Sequence, residues 1–215
     1  MKLVIWDFHG VMEKDNEKAV KDISNKVLEE FGFSERLCDG KTSEFYGLKW
    51  YQYFERLLPH ESIETHYILQ DACQEYGINN LDKIAKHIKP NDYIHEVLEN
   101  TAKKGYEQIV ISNTSPEHLD WFVTQVGVKP YFRNDQIIGV NGHRKKAMSK
   151  IEALQQFLEK NPKNSMVSIG DSIGDINLGK HYGAKTVLYC HPGREFPDCD
   201  ADHKIRTLKE IDYLI

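Results

Sequence analysis

Three aspartates in this 215-residue chain stand where a carboxylate has a chemical use. Asp7 closes the apolar run of Leu3, Val4, Ile5 and Trp6. Asp171 and Asp175 belong to the stretch GDSIGD, residues 170–175, which continues the apolar run MVSIG of residues 166–170. Ionised carboxylates at the ends of buried strands need a cation or hydrogen-bond donors to pair with. Three of them supply hard oxygen ligands, which suit Mg2+, an ion that takes carboxylates, waters and substrate phosphate. Ser112, Asn113 and Thr114 end another apolar run, QIVIS, and Ser112 offers a hydroxyl and a nearby backbone N–H to an anionic oxygen. Arg144, Lys145 and Lys146 offer positive charge ahead of a helix. Metal, lysine and hydroxyl together stabilise charge on a transferring phosphoryl group. Asp7 could then act as the nucleophile, forming an aspartyl-phosphate. His9, beside the turn residue Gly10, is a further candidate for chemistry.

Each group also has a plainer reading. Ser112 to Thr114 could be a loop with an N-cap, Lys145 and Lys146 a solvated basic run, and Asp171 and Asp175 acids favoured at a helix start. Their order and shared position at strand ends favour the chemical reading.

The elements that must position these residues follow from hydrophobic periodicity. After the first strand, apolar residues recur at helical spacing over residues 16–31. They do so again from Ser43 to a stop at Pro59, over 61–76 with Gly77 as a stop, and over 81–88. This predicts a helical insertion. From residue 89 strands and helices alternate. A helix capped by Asn91 or Asp92 precedes QIVIS. Ser115 and Pro116 open the next helix, and QIIGV, residues 136–140, is strand-like. A helix bearing Ile151, Leu154 and Leu158 leads to MVSIG, and TVLYC, residues 186–190, is the following strand. Thr207 and Glu210 form a capping box for a last helix. Strands alternating with helices predict an α/β protein, a Rossmann-like three-layer core with a parallel sheet covered on both faces. The expected core is 1–13 with 89–215, interrupted by a helical subdomain over 14–88. In a parallel sheet the strand ends gather on one edge, where ligands bind.

Composition bounds the function. The chain is 40% hydrophobic and 28% charged, as expected of a globular protein. A formal net charge of −5 gives no electrostatic support to nucleic-acid binding. No apolar run approaches the roughly 18 residues of a membrane span, and no signal-peptide pattern precedes Asp7. The four cysteines form no CxxC pair, which suits a reduced, cytoplasmic setting. The spacing of Cys190, His191, Cys199 and His203 matches no compact zinc module. Oligomeric state has no signature in the sequence.

The motifs together resemble the haloacid dehalogenase superfamily of hydrolases across the whole chain. Its first motif, a strand followed by DxDGT or DxDGV, here reads WDFHGV. Its second, a strand ending in Ser or Thr, reads IVISNT. Its third is a lysine before a helix, and its fourth, GDSxxD, reads GDSIGD. The resemblance implies that Asp7 is the nucleophile and a Mg2+ ligand, with the backbone carbonyl of His9 as a second ligand. It implies that Ser112 and the amide of Asn113 hold phosphoryl oxygens. Lys146, at the expected helix start, is the implied phosphate-binding lysine, with Lys145 and Lys150 as weaker candidates. Asp171 binds the metal, and Asp175 binds it directly or through water. The insertion resembles the helical cap that selects the substrate. Lys49, Trp50, Tyr51 and Tyr53 offer an aromatic and cationic set there, although aromatics on an amphipathic helix usually form core. The expected partner is a small phosphorylated metabolite.

His9 departs from the family pattern, whose phosphatases carry Asp there as general acid and base. Histidine, with an unperturbed pKa of about 6.5, can do both jobs. Three outcomes follow. The chain is a phosphatase with His9 as substitute acid and base; or the water step fails, leaving a phosphotransferase or a phospho-ligand sensor; or the chemistry resembles dehalogenation. The GDSIGD carboxylates argue against the last, because carbon–halogen cleavage in this family needs no Mg2+.

Overall fold

The computed structural model describes residues 2–38, 48–140, 148–192 and 194–215. The chain divides into two compact units, one of Met1–Lys14 with Lys89–Ile215 and the other of Asp15–Ile88.

The first unit is built on strand β1 (Lys2–Trp6), whose Leu3, Val4, Ile5 and Trp6 are fully buried. Its neighbours are β4 (Tyr106–Ser112) and β6 (Ser165–Gly170), both parallel to it. Beyond them lie β5 (Ile137–Gly139), β7 (Lys185–Tyr189) and β8 (His203–Ile205), giving a six-stranded sheet in the order β5-β4-β1-β6-β7-β8. Every neighbouring pair is parallel. Side chains alternate between faces along a strand. Leu3 and Ile5 therefore share one face, where they pack with Ala153, Leu154 and Phe157 of α7 (Lys150–Lys160) and Leu178 of α8 (Ile173–His181). Trp6 points to the other face. Its indole N–H donates to Gln108 at 3.1 Å, and the Gln108 amide donates at 3.0 Å to the Leu98 carbonyl of α5 (Ile94–Lys103). α6 (Pro116–Gln125) follows β4, with Ser115 as N-cap and Pro116 in the first turn. Helices on both faces let each strand bury both sets of side chains, which is why the strands read as continuous apolar runs.

A two-stranded antiparallel ribbon stands apart from the sheet. In it β2 (Glu13–Lys14) pairs with β3 (Lys89–Pro90), Glu13 opposite Pro90 and Lys14 opposite Lys89. The second unit is the excursion between those strands. It holds α1 (Asn16–Glu30), α2 (Trp50–Leu57), α3 (Ile63–Asn79) and α4 (Leu81–Ala85). Ile23, Val27, Leu28, Phe54, Leu69 and Cys73 are buried. The Trp50 indole N–H donates to Ser24 at 3.1 Å, tying α2 to α1. Among the described residues no helix is long and apolar enough to cross a membrane.

Several elements differ from expectation. α3 runs through Gly77, because Ile84 and Ile23 lie over it at contact distance from where a side chain would begin. That packing outweighs the roughly 1 kcal/mol that glycine costs inside a helix. Ser43, the expected start of the second helix, lies outside the described residues, and α2 begins only at Trp50. Tyr93, with φ 66°, is the N-cap of α5 in place of Asn91 or Asp92. Asn91 instead donates from its side chain to the Val11 carbonyl at 2.9 Å and from its backbone to Met12 at 2.9 Å. The segment after Thr207 is a 3-10 helix, not an α-helix, although Glu210 accepts from the Thr207 N–H at 3.0 Å.

Candidate active site

β1 lies between β4 and β6, with Trp6 opposite both Val110 and Ile169. The polar residues that follow these strands therefore leave the sheet side by side. The Asp7 N–H donates to the Ile169 carbonyl at 2.9 Å, extending the ladder one residue beyond β1. The chain then turns at Gly10, whose φ of 81° disfavours any other residue. A side chain there would also fall on the carboxylate of Asp171.

β6 delivers Asp171, and Ser172 caps α8. One oxygen of Asp175, Oδ2, accepts from the Ser172 hydroxyl at 2.6 Å and from its N–H at 3.3 Å. The Ser172 hydroxyl oxygen in turn accepts the Asp175 N–H at 3.4 Å. This reciprocal cap fixes Asp175 with its other oxygen, Oδ1, available. Gly170 has no side chain to obstruct it, since a Cβ there would overlap the Asp175 side chain.

Ser149 caps α7, so Lys150 is the first helical residue. Its ammonium donates to Asp7 Oδ1 at 2.7 Å and to Asp175 Oδ1 at 2.8 Å. Asp7, Asp171 and Asp175 each present an oxygen within 4.8 Å of the others, an arrangement that could hold a metal ion. Burial disfavours charge on Asp7, and the neighbouring Asp175 and Asp171 add to that. Lys150 offsets them only partly, so the Asp7 carboxyl is pushed up to about 7. Burial also works against the Lys150 ammonium, but Asp175 and Asp7 outweigh it and hold its pKa above the ordinary lysine value.

His9 is held at both ring nitrogens. Nδ1 lies 2.9 Å from Glu13 Oε1 and Nε2 lies 2.9 Å from the Thr114 hydroxyl. Phe8 and Phe122 meet the ring edge-on, with centroids 5.1 and 4.9 Å away. Ser112, at the end of β4, is buried, and its hydroxyl donates to Thr114 at 3.1 Å. Asn113 lies between them in the turn that leads to α6.

Lys145 and Lys146 lie outside the described residues. The helix they were expected to open begins at Lys150, and that residue is the cation against Asp7. His191 Nε2 lies 3.2 Å from Asp171 Oδ2, and the Cys190 thiol donates to the Arg194 carbonyl at 3.4 Å. Glu13 was not singled out in the sequence, and Thr114 was named only as one of the polar residues at the end of its strand. The i, i+4 spacing of His9 and Glu13 carries no signal by itself, because it joins side chains on a helix and residues 9–13 form a turn. Thr114 meets His9 only through the pairing of β1 with β4.

Residues 4–189 match the haloacid dehalogenase-like hydrolase family. The chain belongs to that family. A curated relative of this hydrolase, the phosphoglycolate phosphatase of Aquifex aeolicus (strain VF5), is 24% identical over 218 residues, covering 99% of this chain and 97% of the relative. The fold recurs in a haloacid dehalogenase-like family hydrolase from Streptococcus pneumoniae, with a TM-score of 0.77 and 15% identity over 99% of this chain and 98% of that one. It recurs again in a HAD-superfamily hydrolase from Geobacter sulfurreducens, with a TM-score of 0.68 and 19% identity over 100% of this chain and 96% of that one.

Proposed function

We propose that this hydrolase is a Mg2+-dependent phosphatase that cleaves a small phosphorylated metabolite through an aspartyl-phosphate on Asp7, with His9 as acid and base. One observation carries the reading: three carboxylates converge at the strand ends, and the Lys150 ammonium bridges two of them. The all-oxygen donor set of Asp7, Asp171, Asp175 and the His9 carbonyl fits Mg2+. Bound Mg2+ would offset the repulsion between these carboxylates and a phosphate dianion.

The residues act as follows. Ser112, the Asn113 amide and Lys150 hold the phosphoryl oxygens; Lys150 takes the role expected of Lys146 because it already contacts the nucleophile. An Asp7 oxygen attacks phosphorus, and the bond from phosphorus to the leaving oxygen breaks. Protonated His9 gives its Nε2 proton to that oxygen, releasing an alcohol. Neutral His9 then takes a proton from water as the water attacks phosphorus, which frees the Asp7 carboxylate and hydrogen phosphate and restores protonated His9. The helical unit Asp15–Ile88 serves as the substrate-selecting cap in this reading. The Aquifex relative makes phosphoglycolate the first natural substrate to try. Four unpaired cysteines suit the cytoplasm as the place of action.

A second reading draws on the engagement of both His9 nitrogens by Glu13 and Thr114. A ring held this way favours slow water activation, and hence a phosphotransferase or a phospho-ligand sensor. The test is turnover of an aryl phosphate and of phosphoglycolate, with Mg2+ and with chelator, by wild type, Asp7→Asn and His9→Asp. Metal-dependent turnover lost in Asp7→Asn is the expected result. Silence in wild type relieved by His9→Asp transfers the case to the second reading. Metal-independent halide release from a haloacid overturns both.

A further inference from the structure

Glu13 is fully buried, as are its near neighbours in the chain Phe8, Val11 and Met12. Its Oε1 accepts from the Gly10 N–H at 3.2 Å and lies 2.9 Å from His9 Nδ1, while Oε2 has no hydrogen-bond partner among the described residues. A buried carboxylate with one oxygen unsatisfied is costly. An apolar side chain would serve the packing of this strand at least as well. The carboxylate is therefore better explained by what it does to the imidazole.

The hydrogen-bond directions around the ring form one consistent set. The Ser112 hydroxyl donates to Thr114 Oγ1, leaving the Thr114 proton to be donated to His9 Nε2. Nε2 is then the acceptor, so Nδ1 carries the hydrogen and donates it to Glu13. The rings of Phe8 and Phe122 hold the same orientation.

We propose that Glu13 is a positioning residue for His9: its buried carboxylate accepts a hydrogen bond from Nδ1–H and leaves Nε2 as the atom that exchanges protons with the leaving oxygen and water. This rests on the acid and base reading of His9 above. An aspartate at position 9 has no tautomer to select, so the need for Glu13 belongs to the histidine. Glu13 itself touches no reacting atom.

The test is a double-mutant cycle on the full-length Mg2+-loaded enzyme, with an aryl phosphate, joined to 15N NMR of the His9 ring at a pH where it is neutral. The expected result is an Nδ1–H tautomer in wild type and a loss or mixing of that tautomer in Glu13→Leu. With it goes a fall in kcat of about 10- to 100-fold, the usual scale for an outer-sphere orienting partner, and KM changes little. Glu13→Gln, which keeps an acceptor of the same shape, retains the tautomer and recovers most of kcat. In the His9→Asp background, Glu13→Leu costs less than about twofold. An equal loss in both backgrounds overturns the proposal, as does an unchanged tautomer in Glu13→Leu. If Glu13→Leu does not fold, an Nε2–H tautomer in wild type or Glu13→Gln overturns it alone. Absence of phosphatase turnover in wild type defeats the functional reading instead, and the tautomer measurement still decides the role of Glu13.

Discussion

Asp7 sits where the fold works against its own charge. A carboxyl pushed up to about 7 holds a proton in the folded chain between about 4 and 7, where the unfolded chain has released it. Its contribution to stability is therefore fullest at low pH and is lost as pH rises from the ordinary aspartate value through about 7. Asp7→Asn removes that dependence. In chelator, the variant is expected to be more stable than wild type at pH 8 by up to about 4 kcal/mol, and the gap should close toward pH 4. Urea unfolding at the two pH values measures it. The same substitution abolishes turnover in the proposed mechanism, so one residue separates stability from activity. The opposing charges of Asp171 and Asp175 are part of the same cost, and Lys150 only moderates it.

At the scale of an element, β4 carries a charge network far from these groups. Glu107 accepts from Arg133 at 2.9 Å, from Gln136 at 3.0 Å and from the buried Lys163. Partial burial works against its charge. The hydrogen bonds from Lys163, Arg133 and Gln136 prevail, and its carboxyl is pushed down to about 2. A lowered carboxyl stabilises the fold above its unfolded pKa, near 4.5, and that contribution disappears as pH falls to about 2. Glu107→Gln should therefore lower the Tm at pH 7, by an amount corresponding to about 1–3 kcal/mol, and should match wild type near pH 2. Scanning calorimetry across that range checks the convergence. Here the sequence was silent. Glu107 is the second residue of β4, and nothing in its spacing points to residues 133, 136 and 163, which the chain reversals bring to it.

On the scale of the whole molecule, legibility tracks how strongly burial constrains the residues. β1, β4, β6 and β7 are buried on both faces, so apolar runs revealed them and with them the α/β class. The polar groups at their ends were legible for the same reason, because each is conspicuous next to such a run. The short edge strand β8, with Ile205 as its one fully covered residue, and the ribbon of β2 and β3 carry no such pattern. Lys150 was legible only as one of several lysines, since the residue that opens α7 is decided by the Ser149 cap and not by charge. Glu13 escaped notice because a carboxylate reads as solvent-facing until its burial is known.

The ribbon has a consequence of another kind. The chain departs after Lys14 and returns at Lys89, and those two residues face each other across one rung. Closing a loop of any length at that rung costs only about 0.6 kcal/mol more for each doubling of its length. Closure entropy thus distinguishes little between inserts of different length. Replacing Asp15–Ile88 by an Asn-Gly hairpin turn is expected to leave the amide NMR signals of the six-stranded sheet dispersed as in the full chain. Collapse of that dispersion would mean that the sheet depends on the helices it hosts. Retained dispersion would make this rung a grafting point, at which the insert can change while the strands that carry Asp7 and its neighbours stay paired.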